Sequence, residues 1–210
     1  MRFTTKLAGA AFALAASASV AVAQPVVTFS TSGSFSGPGA TTSGSAYNFG
    51  SFTLSYTGTN SASYFSPSLV DLGQFVTQSS TGSAPTTGIG NGATFTLTVT
   101  QTSPTNGSNN VVGSVTGSLS YNPSQSSLAF TPTSSTFTIG GPPGLQSIYT
   151  LVTDNNGRIN IAAPTTATNG NPTATIVKAN VNVVPEPSTY ALLATGLVGT
   201  MAAVRRRRSA

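Results

Sequence analysis

The 210-residue chain contains no cysteine, no histidine and no tryptophan. Without cysteine it can form no disulfide and no thiolate metal site. Without histidine it lacks the imidazole that serves most often as a metal ligand or a general base. Charge is almost as scarce, at 5% of residues, and only three residues are acidic. A carboxylate pair for acid–base work would have to be drawn from Asp71, Asp154 and Glu186.

The formal net charge is +5, which taken alone suggests a nucleic-acid binder. The placement of the charges excludes that. Arg2 and Lys6 stand at the front, and Arg205, Arg206, Arg207 and Arg208 stand at the back, with Glu186 upstream of them. Between Gln24 and Val184 the charges are Asp71, Asp154, Arg158 and Lys178, which cancel. Displacing counterions from phosphates takes clustered Lys or Arg, and this body has none. No nucleic-acid partner is expected.

At the front, Arg2 and Lys6 precede an Ala-rich apolar run from Leu7 to Val22, which ends in Ala21-Val22-Ala23. A basic segment, a short apolar helix and a small-x-small site are the parts of a secretory signal peptide. The reading assigns residues 1–23 to that signal, with Ala21 and Ala23 at the cleavage site and Gln24 as the mature N-terminus. Its partners are then the secretion machinery and signal peptidase. The alternative is an Ala-rich helix of a cytosolic domain.

Residues 24–183 read as one all-β domain. Phe52, Leu54 and Tyr56 alternate with Thr53, Ser55 and Thr57. Phe95, Leu97 and Val99 alternate with threonines, and Val115, Leu119 and Tyr121 share one parity across Gly117. Val177, Ala179, Val181 and Val183 alternate with Lys178, Asn180 and Asn182. Period two gives each strand one core face and one wet face. Asp154-Asn155-Asn156-Gly157, between Tyr149–Thr153 and Arg158–Ile161, reads as a hairpin turn. About eight to eleven strands are expected, in a β-sandwich or jelly roll. Ser30 to Gly44 and Gln78 to Gly90, rich in Ser and Gly, read as long loops.

No catalytic, cofactor or metal site is expected. Asp154 serves its turn. Asp71, between Val70 and Leu72, falls on the exposed parity, and Lys178 lies on the polar face of the last strand. Calcium wants several carboxylates, which Asp154 with Asn155 and Asn156 does not supply. The competing function is a carbohydrate-binding or adhesive module, whose partner would be an extracellular polysaccharide. Sugar platforms favour large exposed aromatic faces. Most of the body's tyrosines (Tyr47, Tyr56, Tyr64, Tyr121 and Tyr149) fall on apolar parity.

At the back, Val184-Pro185-Glu186-Pro187-Ser188-Thr189 leads into an apolar run from Tyr190 to Val204, then Arg205 to Arg208. The two prolines hold Glu186 extended, and Ser188 is placed to cap a helix. A helix over Ser188–Arg207 reaches about 30 Å with its arginines snorkelling, the thickness of a hydrocarbon core. The arginines favour the cytoplasmic side. The predicted order is a membrane helix over 188–204, the body outside and the tail inside. A permanent single-span anchor is the alternative to a processed tail.

Motif, apolar helix and Arg cluster together resemble the PEP-CTERM sorting domain of Gram-negative bacteria, over residues 184–210. The resemblance implies recognition of Val184, Pro185, Glu186 and Pro187 by an exosortase, a multi-pass membrane enzyme with a cysteine-protease-like site. It implies retention by Arg205, Arg206, Arg207 and Arg208, then removal of the tail and release or transfer of the body to the cell surface. It also implies an exopolysaccharide-producing, biofilm-type host and an inner-membrane intermediate with the body in the periplasm. The body is similar to the exported choice-of-anchor domains, most nearly type K, through Ser32-Gly33-Ser34-Phe35-Ser36-Gly37, Val70-Asp71-Leu72-Gly73-Gln74-Phe75 and the Tyr149–Ile161 segment. Those domains carry no assigned activity.

Overall fold

The computed structural model describes residues 24–41, 43–80, 86–141, 145–164, 172–185, 196–197 and 199–201. The predicted signal peptide, Glu186, Pro187 and the four terminal arginines lie outside the described residues. Of the predicted membrane span, Gly196, Leu197, Gly199, Thr200 and Met201 are described, and they are helical. No helix among the described residues is long and apolar enough to cross a membrane.

Threonine, valine and aromatic residues in alternation build long strands. In chain order these are β1 (Val26–Ser36), β2 (Ala46–Phe49), β3 (Phe52–Gly58), β4 (Ala62–Phe65), β5 (Ser68–Ser79), β6 (Thr87–Gly88) and β7 (Thr94–Ser103). They continue as β8 (Gly107–Thr116), β9 (Ser118–Leu119), β10 (Ala129–Pro132), β11 (Thr136–Ile139), β12 (Leu145–Leu151), β13 (Ile159–Asn160) and β14 (Thr173–Pro185). Two six-stranded antiparallel sheets result, in the orders β13-β10-β8-β7-β1-β4 and β11-β12-β14-β5-β3-β2, with β6 and β9 as a separate pair. The expected all-β sandwich is the fold. The edge strands β13, β4, β11 and β2 have two, four, four and four residues. Edges this short offer little template for strand addition.

Between the sheets lies an aromatic centre. Phe95 is 4.8 Å from both Phe35 and Phe75 and 5.3 Å from Phe130, ring centre to ring centre. Tyr149 crosses from the second sheet to the first, edge-on to Phe29 at 6.0 Å, and its hydroxyl donates to Gln101 Oε1 at 2.8 Å. Gln101 in turn donates to the Thr105 carbonyl at 3.0 Å, so this buried amide is satisfied. Gly33 on β1 is required by that packing. A Cβ there would stand 2.4 Å from the Phe95 ring and 2.5 Å from the Tyr56 ring.

Three expectations change. The described residues form 14 strands rather than eight to eleven, because two- to four-residue strands are too short to show a period in the sequence. Ser30 to Ser36 is strand, not loop: Thr31, Gly33 and Phe35 point to the core while the serines take the wet face. The Asp154 turn does not close a hairpin. Its backbone has the local bonds of one, Asp154 N–H to Arg158 O at 2.8 Å and Gly157 N–H to Asp154 O at 3.0 Å. Yet β12 before it pairs in one sheet and β13 after it pairs in the other. The turn carries the chain across the sandwich.

Candidate functional site

The last strand brings the predicted sorting segment to one end of the sandwich. β14 lies between β12 and β5, with Val177, Ala179, Val181 and Val183 buried and Lys178, Asn180 and Asn182 outside. It outlasts one of its neighbours. Pairing with β5 stops at Val181–Ser68, while pairing with β12 continues to Pro185–Leu145. Beyond that point the Val183 N–H has no backbone acceptor on the β5 side and donates to Ser66 Oγ at 2.7 Å. Ser66 also donates its own N–H to the Pro25 carbonyl at 2.9 Å. One buried serine therefore ties the start of the body to its end.

Val184 and Pro185 belong to this strand as well as to the motif, so the strand runs into the tail past the expected boundary at residue 183. Gln24 lies exposed just ahead of β1. Hence the chain enters and leaves the body at the same end.

The charged residues lie elsewhere. Lys178 Nζ is 3.9 Å from Asp71 Oδ1 on the outer face of the second sheet, both side chains substantially exposed. They come together because Lys178 and Asp71 are register partners at a bulge. Val177 pairs with Gly73 and Lys178 with Asp71, leaving Leu72 as the extra residue. Gly73 takes φ +129°, and a Cβ on it would meet the Thr57 carbonyl and the Tyr56 hydroxyl, each at 2.5 Å. The freed Leu72 carbonyl accepts the hydroxyls of Thr31 and Tyr56. Burial raises the Tyr56 hydroxyl to about 12, against a smaller lowering by Thr31. A shallow hollow of about 210 Å³ lies over this bulge, lined by Thr57, Asp71, Gln74 and Ile176 among others.

Asp154 is held by its turn. Oδ1 accepts the N–H of Asn156 at 2.9 Å and of Arg158 at 2.8 Å, and Oδ2 accepts from Asn160 Nδ2 at 3.1 Å. The Arg158 backbone bond leads in holding its carboxyl below the usual aspartate value. Asp71 and Asp154 are not brought together as a pair. Among the described residues no group of three or more His, Cys, Asp or Glu could hold a metal ion.

The tail decides the comparison with known proteins. Residues 183–208 match the PEP-CTERM protein-sorting motif. This chain carries a PEP-CTERM tail. That tail marks an exported protein directed to the cell surface by an exosortase-type enzyme. The match covers the sorting segment and the last three residues of β14, not the β-sandwich before them. No curated protein and no solved structure matches the chain.

Two residues at the same end escaped the sequence reading. Ser66 looked like one serine among many, and nothing local marks its bond to a residue 117 positions away. Phe65 did leave a signal. Neighbouring strand residues face opposite ways, so in Tyr64-Phe65 one aromatic side chain has to point outward. Tyr64 stacks on Phe29 at 5.8 Å, and Phe65 is exposed.

Proposed function

We propose that this is a non-catalytic protein of the cell surface or extracellular matrix, exported and then processed at its PEP-CTERM tail, in a Gram-negative, biofilm-type host. Residues 1–23 act as the signal peptide and are removed after Ala23. Residues 24–183 form the exported body, which stands in the periplasm while the tail, residues 184–210, remains in the inner membrane. The helix over 188–204 spans the membrane, and Arg205, Arg206, Arg207 and Arg208 hold it there, because moving clustered arginines through a bilayer is costly. The exosortase-type enzyme reads Val184, Pro185, Glu186 and Pro187 and removes the tail.

The observation that carries this reading is the course of β14. It ends at Pro185, at the end of the sandwich, and Glu186 follows in the sequence. The last strand of the folded body therefore ends within the motif itself. The non-catalytic assignment is supported by the use of both body aspartates in structural contacts, Asp71 beside Lys178 and Asp154 within its turn. A structural role is favoured over carbohydrate binding because Tyr47, Tyr56, Tyr121 and Tyr149 are buried and Tyr64 is packed against the core.

The test uses a host that contains the sorting enzyme, with products resolved by mass spectrometry. Glu186→Ala accumulates a membrane-bound precursor longer than the mature form by about the tail. Changing all four arginines to Ser releases unprocessed protein. Wild-type protein that keeps its C-terminal arginines and stays in the membrane establishes the permanent-anchor alternative instead.

A further inference from the structure

Apolar side chains stand exposed around the end of the sandwich where the chain enters and leaves. Ser66 joins Pro25 and Val183 by hydrogen bonds, and the residue next to each of the three is an exposed hydrophobe. Val26 is 38% exposed, Phe65 64% and Val184 40%. Val26 and Phe65 are direct register partners on the β1–β4 pair. Alternation explains why each points outward: their neighbours Val27, Tyr64 and Val183 take the core side.

Apart from Glu186 in the motif and the Gln24 amine left by signal cleavage, the charges of the body stand away from this end. Lys178 and its partner Asp71 lie seven residues up β14 from Pro185. The Asp154–Arg158 turn follows Leu151, which pairs with Ala179, six residues up. At about 3.3 Å per residue, all four body charges stand roughly 20 Å or more from Pro185 along the strands. Approach of this end to an apolar phase buries none of them.

The chain beyond Pro185 limits where this end can go. The apolar run begins at Tyr190, five residues on. Even fully extended, five residues span at most about 18 Å. With the tail in a bilayer, this end of the body is held at the headgroup level.

We infer that Val26, Phe65 and Val184 form a lipid-facing rim that rests on the bilayer surface until the tail is removed. The inference rests on the reading of the tail as membrane-embedded and adds a second, reversible contact to it. Single apolar side chains at an interface bind weakly, and binding of this kind strengthens with the apolar area buried. The rim therefore orients a tethered body and releases a processed one. Because the body carries no net charge, the contact needs no anionic lipid.

The sequence supplies a clean test, since the chain contains no tryptophan. Phe65→Trp and Val184→Trp each place the sole indole on the rim, and Val152→Trp places it on an exposed residue beside the Asp154 turn. Each full chain is purified with its tail from a host lacking the sorting enzyme and reconstituted in phosphatidylcholine vesicles. Flotation reports the tail, and quenching by bromine-labelled lipid reports the rim. The expected result is flotation of all three, with both rim indoles quenched several-fold more than the Val152→Trp indole and little change at high salt. Flotation with equal, weak quenching at all three positions overturns the rim and leaves the embedded tail standing. Failure to float overturns the embedded tail and the rim with it. Concentration-dependent shielding of the rim indoles without vesicles assigns the surface to a second copy and overturns the inference.

Discussion

The Ser66 hydroxyl accepts the Val183 N–H at 2.7 Å, across 117 positions of sequence. Both residues are buried, so this bond satisfies an amide that no strand neighbour and no solvent reaches. It also fixes the last strand just before the sorting segment begins.

Ser66→Ala removes the acceptor and leaves the Val183 N–H unpaired. The expected cost is about 1–3 kcal/mol of stability. Amide exchange at Val183 should rise more than exchange at Ala179, which is paired with Leu151 on one side and Val70 on the other. Equal exchange at the two amides in the variant contradicts the role given to Ser66.

Gly73→Ala is expected to destabilise the fold by about 2 kcal/mol or more, since it adds a positive-φ penalty to a clash with the Thr57 carbonyl. Gly33→Ala tests the neighbouring site differently. There the backbone is relaxed and the cost is overpacking against Phe95 and Tyr56, about 1–3 kcal/mol. Denaturant midpoints of the two variants measure both. Wild-type midpoints would show that the bulge and the aromatic centre give way easily.

Alkali should unfold the body before moderate acid does. The Tyr56 hydroxyl is raised from 10.0 to about 12 by burial, and burial raises Tyr149 as well. A raised folded value means that the stabilisation is complete below the unfolded value of 10.0. It is lost as pH climbs toward the folded value. The Tyr56 contribution is on the order of 2–3 kcal/mol. Melting temperature should hold between neutrality and pH ~9 and fall above pH ~10. Tyr56→Phe should flatten that fall, and an unchanged slope in the variant rejects the assignment to Tyr56.

Chelation should leave the melting temperature unchanged. The chain has no Cys or His, and the body's carboxylates are separate. A melt with and without EDTA decides it, and a large drop would reveal a metal site. Residues 24–184 alone should pass through heparin at modest salt, since the body charges cancel. Retention there would point to a cationic surface.

N-terminal sequencing of exported protein should begin at Gln24. Recovery of Met1 to Ala23 in the surface fraction would remove the signal peptide from the scheme.

The sequence by itself determined what depends on neighbours in the chain. Alternation assigned Phe52, Leu54, Tyr56, Phe95, Leu97 and Val99 to the core, and all six are buried. The run of Pro185-Glu186-Pro187, apolar segment and arginines was legible because its parts are consecutive. Only the tertiary structure decided what depends on pairing between distant strands. The phase of β5 shifts at Leu72-Gly73, where Val70 and Leu72 are buried on one parity and Phe75 and Thr77 on the other. A bulge of that kind is set by the partner strand, which lies a hundred residues away in sequence. The Asp154 turn has the residues of a hairpin, but which sheet receives the next strand is fixed by burial of Ile159 and Ile161, not by the turn. Ser66 and Val183 meet for the same reason: two strands of unequal length leave one amide uncovered, and a hydroxyl from the adjoining turn is the group near enough to take it.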